Sequence, residues 1–328
     1  MKAITLRDFG GPEMMELNEI ATPSPTDDQI LIRVNATSVN RPDVIQRQGN
    51  YPPPPGDSEV LGLEVAGTVE SVGSNITRFK PGERVVALVG GGGYAEYALA
   101  LEGHTMPIPQ SVSFEQAACI CETYITAYLN LFMFGEVKGK QSVLIHGGGG
   151  GVATAAIQLC KALSPATEII VTASSGKLDR VREQGADHVI DYREQDFADE
   201  IRRITDKRGV DVILDHIGAK YLESNMKSLA LAGTLMLIGV MGGIKAELNL
   251  ATMMVKRQRI IGSVLRSRPV AEKAAIISQF ESTVMPLFAA GTIEPLISAR
   301  FPLQEAAAAH QMMEQGGHFG KIVLLIEE

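Results

Sequence analysis

Val143-Leu144-Ile145-His146-Gly147-Gly148-Gly149-Gly150-Gly151-Val152-Ala153 is the stretch on which the fold turns. A β-branched run is followed by five consecutive glycines and then by an apolar stripe. Val152, Ala155, Ala156, Leu159, Cys160 and Leu163 lie at i, i+3, i+4, i+7, i+8 and i+11, which is one face of an α-helix. Strand, glycine turn and helix in that order are the parts of a dinucleotide-binding unit, and Gly148, Gly150 and Ala153 match its G-x-G-x-x-G/A fingerprint. The first glycine allows the tight turn, and the second lets backbone N–H groups approach a pyrophosphate. A small third residue lets helix and strand pack closely. Gly148, Gly150, Gly151, Val152 and Ala153 are therefore candidate cofactor contacts, with the anion at a helix N-terminus. A Walker-type loop is excluded, because the Gly-Lys pairs ending at 140, 177 and 321 are followed by Gln, Leu and Ile rather than Ser or Thr.

Working outward, apolar strands at 142–146, 169–173, 188–191, 210–215 and 235–239 alternate with segments of helical length, which predicts a parallel, doubly wound α/β sheet. The second strand decides the nucleotide. It ends Val171-Thr172-Ala173-Ser174-Ser175-Gly176-Lys177, without the carboxylate that holds a ribose 2′-hydroxyl in NAD users. Ser174, Ser175 and Lys177 offer hydroxyls and a cation suited to a 2′-phosphate, so NADPH is the expected cofactor. Ser174-x-x-Lys177 also mimics a β-lactamase nucleophile motif, but the partner motifs are missing.

Before this region the chain is β-rich. Runs at 30–34 and 64–72, a Lys80-Pro81-Gly82 turn, a strand at 85–89 and another at 94–98 predict a compact, barrel-like domain. Glycine makes up 33 of 328 residues, and its second run, 90–93, reads as a plain turn. Tyr51-Pro52-Pro53-Pro54-Pro55-Gly56 reads as a stiff polyproline loop. After the α/β region a helix at 271–290 and strands near 293–301 and 322–326 are expected to rejoin the first domain. The expected domains are 1–123 completed by 267–328, and 124–266. The alternating segment 246–250 is expected to form an edge strand that pairs with its copy in a homodimer.

Composition narrows the function. A net charge of −8 argues against a nucleic-acid partner, and neither a signal peptide nor a membrane helix is legible, so a cytoplasmic protein is expected. Three cysteines give no disulfide framework, and six scattered histidines give no local metal motif, so Cys119, Cys121 and Cys160 are expected as buried thiols.

Several further stretches carry a likeness: Asn40-Arg41-Pro42-Asp43, Gln46 through Tyr51, Leu61-Gly62-Leu63-Glu64-Val65-Ala66-Gly67, Thr154 through Gln158, and Leu265-Arg266-Ser267-Arg268. With these the whole chain resembles the medium-chain dehydrogenase/reductase superfamily, and within it the zinc-free quinone oxidoreductases, most like their tumour-suppressor-inducible branch. The resemblance implies a GroES-like domain beside a Rossmann domain. The zinc-ligand positions of related alcohol dehydrogenases fall on Asn40, Leu63 and Glu122, so no metal is expected. It further implies Lys177 and Tyr192 around the 2′-phosphate, and Ile217, Gly239 and Met241 along the cofactor. Leu265 and Arg266 would lie on the nicotinamide side, with Phe319 and Lys321 closing over it. Asn40, Tyr51 and Thr126 would be the polar groups near the reacting centre. The implied reaction is hydride (or electron) transfer from NADPH to a small-molecule quinone, which needs no strong general acid. Two alternatives remain open: an enoyl-thioester reductase in which Tyr51 donates a proton, and a non-catalytic NADPH-binding structural protein.

Overall fold

The computed structural model describes residues 1–140 and 142–326. The chain divides into two units, Met1–Ile125 with Leu265–Glu328, and Thr126–Val264.

The first unit begins with an antiparallel pair, β1 (Lys2–Leu6) and β2 (Met15–Glu19), followed by β3 (Gln29–Val39), α1 (Arg41–Arg47) and β4 (Glu64–Val72). Next come β5 (Arg84–Leu88), β6 (Tyr97–Leu101), β7 (Thr105–Pro107), the short α2 (Phe114–Ala117) and α3 (Cys121–Tyr128), on which the chain passes into the second unit. β3 organises this half. Its first residues pair with β6, while β4 runs antiparallel along it with two register shifts. Ile30, Ile32 and Val34 alternate inward onto Val65, Val69, Val85 and Ala87, as a half-buried strand requires.

The second unit contains β8 (Ser142–Ile145), α4 (Gly151–Leu163), β9 (Glu168–Ala173), α5 (Leu178–Glu183), β10 (His188–Asp191), α6 (Phe197–Ile204), β11 (Val210–Asp215), α7 (Leu222–Ser228), β12 (Leu229–Leu237), α8 (Leu250–Lys256) and β13 (Arg259–Gly262). All six strands are parallel, in the order β10-β9-β8-β11-β12-β13, which is the classical order of a dinucleotide fold. The chain reverses direction across the sheet between β8 and β11, so ligands are expected at the carboxyl ends of those strands. In α4, Ala155, Ala156, Leu159 and Cys160 are buried, as the stripe predicts.

Back in the first unit, α9 (Val270–Ala289), β14 (Ile297–Pro302), α10 (Ala306–Gln315) and β15 (Lys321–Leu325) complete the chain. β15 pairs antiparallel with the end of β3, so the terminal strand lies inside this sheet. A core of Val39, Val44, Leu61, Tyr94, Ala306, Ala309, Ile322 and Leu324 joins the two ends of the chain.

Two expectations are corrected. Residues 246–249 form no strand: the Asn249 side chain accepts from Thr252 N at 3.0 Å and starts α8 at Leu250, so a cap overrides the period-two pattern. The edge strand of the sheet is β13 instead. The glycine run at 90–93 is more than a turn. Gly92 N and Gly93 N donate to Val60 O and Gly62 O, and a Cβ on Gly91 or Gly93 would lie 2.1 Å from Ser58 O or 3.0 Å from Gly62 C. The run lets two backbone segments touch. The strand expected at 94–98 begins three residues later, as β6.

Candidate functional site

In the second unit the expected cofactor residues gather at the carboxyl ends of the strands. Gly147 has φ +69°, and a Cβ there would lie 2.3 Å from His216 Cε1. A Cβ on Gly148 would lie 2.5 Å from Val171 Cγ1, and one on Gly149 would lie 2.4 Å from Lys177 Cδ. Gly150 differs, since its added Cβ would meet only Gly147 O, at 3.4 Å. Gly147 and Gly148 are thus demanded by backbone conformation and packing, at Gly149 only the flexible Lys177 stem would have to move, and Gly150 leaves room above the turn. Helix geometry leaves the N–H groups of Gly151, Val152 and Ala153 without intrahelical acceptors at the positive end of the 13-residue α4. This cradle fits a dinucleotide pyrophosphate.

Beyond Gly149 the Lys177 side chain sits with Arg180 and Arg193 close enough for their charges to act on it; burial and those two cations hold its pKa below the usual lysine value. Tyr192 is exposed at the rim, after β10. Ser175 is placed differently from the expectation: its hydroxyl bonds the Asp191 carboxyl, which also accepts from Arg193 N at 3.0 Å. These hydrogen bonds hold Asp191 below the usual carboxylate range. Ser174 caps the turn, its carbonyl accepting from Lys177 N at 2.8 Å.

Ile217, Gly239 and Met241 are brought together by two loops. Met241 N donates to His216 O at 3.1 Å and Gly242 N to Ile217 O at 2.6 Å. Sequence reading missed the network underneath. The buried His146 imidazole meets Thr172 Oγ1 at 2.9 Å and Asn225 Oδ1 at 2.8 Å. Asn225 Oδ1 can only accept, so Nε2 carries the proton, and burial lowers the pKa to about 3. Asn225 Nδ2 donates to Asp215, which also accepts from Ile217 N and Gly218 N and so fixes the loop after β11. Burial raises Asp215 to about 6. The hint was a histidine and an aspartate each at the end of a core strand.

The first unit assembles a second cluster. Glu64, fully buried, accepts at Oε1 from Ser38 Oγ (2.6 Å), Asn40 Nδ2 (2.9 Å) and Lys321 Nζ (3.1 Å), and at Oε2 from Glu122 N (2.9 Å). Lys321 Nζ also donates to Asn40 Oδ1. Both ends of the Asn40 amide are therefore bonded inside the protein. Lys321 is likewise a buried counter-ion of Glu64, and Phe319 is a buried core ring. The sequence held these residues 24 and 257 positions from Glu64, too far apart for any spacing rule.

Asp43 extends the cluster. Its carboxylate accepts from Asn40 N (2.8 Å), Gly62 N (3.2 Å) and Tyr94 Oη (3.2 Å). His310, on the unforeseen helix α10, lies 3.0 Å from Tyr94 Oη and 3.2 Å from Arg47 Nη1. Arginine cannot accept, so His310 Nδ1 accepts, its Nε2–H donates to Tyr94, and Tyr94 donates to Asp43. Burial pushes Asp43 up to about 6 and His310 down to about 3.

Arg266 pins the Tyr51 loop. Its guanidinium donates to Tyr51 O (3.1 Å), Gln46 Oε1 (2.8 Å) and Gly90 O (2.8 Å), and lies 5.1 Å from the Tyr51 ring centroid. Burial, reinforced by Glu122 and opposed by Arg266, raises Tyr51 to about 12. Leu265 is buried. Thr126 stands on α3, its carbonyl accepting from Asn130 Nδ2 at 2.8 Å, and belongs to the second unit. The three cysteines are free and buried, and burial raises each thiol's pKa. The residues at the zinc-ligand positions do not fit zinc: Leu63 has no lone pair to give, and the Asn40 amide is spent.

A six-stranded parallel sheet with this glycine turn, in a chain that also carries a β-rich unit holding a buried polar cluster, defines a nucleotide-dependent oxidoreductase class. Comparison with known proteins agrees. Residues 26–110 match the alcohol dehydrogenase GroES-like domain and residues 184–324 the zinc-binding dehydrogenase family. The chain is 34% identical over 330 residues to the quinone oxidoreductase of Rattus norvegicus, covering 99% of this chain and 98% of that protein. Among solved structures, Escherichia coli quinone oxidoreductase complexed with NADPH superposes with a TM-score of 0.90 at 28% identity, over 99% of this chain and 100% of that one. An NAD-dependent alcohol dehydrogenase superposes at 0.88 with 30% identity, over 100% of both chains. The chain belongs to the medium-chain dehydrogenase/reductase superfamily, in the branch of the quinone oxidoreductases. Its fold is the Rossmann-like parallel sheet with a GroES-like domain. Among the described residues no helix is long and apolar enough to cross a membrane.

Proposed function

We propose that this protein transfers a hydride from NADPH to a quinone, without a metal ion. The observation that carries the reading is the cationic corner of Lys177, Arg180 and Arg193 beside Gly149, with Asp191 already engaged by Ser175. That corner suits a 2′-phosphate. The likeness to quinone oxidoreductases over nearly the whole chain supports the acceptor class. Bound NADPH supplies the hydride. The chain's own groups do the rest: the α4 N–H groups hold the pyrophosphate, and the Asp215 and His146 network sets the loop carrying Ile217. Arg266 holds the Tyr51 loop in one place.

We also propose a homodimer, in which β13, the edge strand, pairs with its copy; Leu231, Val240, Ile244, Leu250, Met254 and Val255 are exposed in the same unit. The test is to follow oxidation of NADPH and NADH with an ortho-quinone and, in parallel, with a 2-enoyl-CoA. Quinone turnover preferring NADPH is expected. Turnover of the thioester alone would replace the quinone reading, and tight NADPH binding with neither turnover would make the protein a non-catalytic binder.

A further inference from the structure

Beneath the candidate cofactor site of the second unit, a chain of hydrogen bonds runs in one direction. Gly147 N donates to Thr172 Oγ1 at 3.4 Å, and the Thr172 hydroxyl donates to His146 Nδ1, which carries no proton, at 2.9 Å. His146 Nε2–H donates to Asn225 Oδ1 at 2.8 Å, and Asn225 Nδ2 donates to Asp215 Oδ2 at 3.0 Å. The Asp215 carboxylate ends the chain, and from its other side it accepts Ile217 N at 2.6 Å and Gly218 N at 3.1 Å. Thr172, His146, Asn225 and Asp215 are all buried. Phe197 and Tyr221 each meet the His146 ring at a steep angle, with centroids 4.9 Å away. Such surroundings are of low dielectric, where successive hydrogen bonds polarise and strengthen one another.

The two ends of this chain are the two sides of the crevice at the switch point. One end is the glycine turn between β8 and α4, where Gly148 N also donates to Thr172 O at 2.9 Å. The other is the loop after β11, from which the loop after β12 hangs through Met241 N to His216 O, Gly242 N to Ile217 O and Ala219 N to Gly243 O. We propose that Asn225 is a positioning residue for the dinucleotide: by joining His146 to Asp215, it holds the loops after β11 and β12 in register with the glycine turn. The contacts for the nicotinamide half of the cofactor are then in place when the diphosphate is seated. This rests on the dinucleotide-binding reading above. The position demands a primary amide, with its acceptor toward His146 and its donor toward Asp215. A carboxylate there would set a second negative charge against Asp215. An alkyl side chain would leave His146 Nε2–H without its acceptor and Asp215 short of a donor. Lys177 lies on the turn between β9 and α5 and is not a member of the chain, so the adenosine corner is independent of it.

The test compares the whole protein as wild type, N225A, N225D, H146Q and H146L, by titration with NADPH, NADH, adenosine 2′,5′-bisphosphate and AMP. N225A should bind NADPH about tenfold more weakly, and N225D more weakly still, with affinity for the bisphosphate within about twofold of the wild type. Amide exchange at Ile217 and Gly218 should quicken about tenfold in both variants. H146Q keeps an N–H for Asn225 Oδ1 and should bind NADPH like the wild type, whereas H146L should match N225A. That pair reads the chain even where an Asn225 variant fails to fold. The proposal is overturned by N225A with wild-type NADPH affinity and amide exchange, by equal weakening of NADPH and the bisphosphate, or by H146Q no better than H146L. A wild type that binds NADH but neither NADPH nor the bisphosphate overturns the 2′-phosphate reading. Asn225 is then upheld if N225A weakens NADH about tenfold and leaves AMP unchanged, and overturned if it does not. A wild type that binds none of these ligands overturns both.

Discussion

Lys177 is the side chain on which the proposed choice of nucleotide rests. Its stem lies along Gly149, and two arginines share its corner, so an added phosphate would relieve repulsion among three cations. Lys177→Ala should weaken NADPH about ten- to hundred-fold while leaving NADH nearly unchanged, measured as dissociation constants by nicotinamide fluorescence. Equal weakening of both would sink the assignment. Tyr94 tests the buried relay. Tyr94→Phe deprives Asp43 of a donor and His310 of an acceptor, at a cost of about 1–3 kcal/mol in urea unfolding. Asp43 has a raised folded pKa, so the cost of ionising it grows as pH rises from the unfolded carboxylate value through about 6. Losing the Tyr94 hydrogen bond raises that pKa further. The deficit of the variant should therefore be larger at pH 8 than at pH 5, and a deficit independent of pH would contradict the assigned donor direction.

Among the elements, the turn between β8 and α4 was the most legible, because its strand, glycines and helix are contiguous. The sequence placed the fingerprint at Gly148 and Gly150, and the structure separates their jobs. Gly148→Ala would drive a methyl into Val171 on β9 and Val181 on α5, costing about 1–3 kcal/mol of stability. Gly150 has ordinary extended angles and open space, so Gly150→Ala should leave stability within about 0.5 kcal/mol and weaken NADPH selectively. Calorimetry and NADPH titration of the pair check this; a Gly150→Ala variant that melts early with unchanged affinity would reverse the roles. Helix α10 was missed because four successive alanines hide which face is apolar, yet Ala306, Ala309 and Met313 form its buried face and it delivers His310 to the core. The segment 246–250 misled for the opposite reason, a strand-like alternation overruled by one capping side chain at Asn249.

For the molecule as a whole, the six-stranded sheet ends at β13, and exposed apolar side chains cluster in the sequence around 231–255 of the same unit. Unpaired edge N–H and C=O groups beside such side chains favour a second copy, so light scattering at micromolar concentration should give the dimer mass, and a monomer mass would refute it. The sequence by itself determined the nucleotide turn, the α/β alternation behind it and that none of Asn40, Leu63 and Glu122 is a zinc ligand of the usual type, because each resides in a few adjacent residues or at one position. Only the tertiary structure decided which partners Asn40, Glu64, His310 and Lys321 meet. Their roles depend on which buried donors and acceptors meet, and pairing across up to 281 positions of chain is set by packing rather than by spacing.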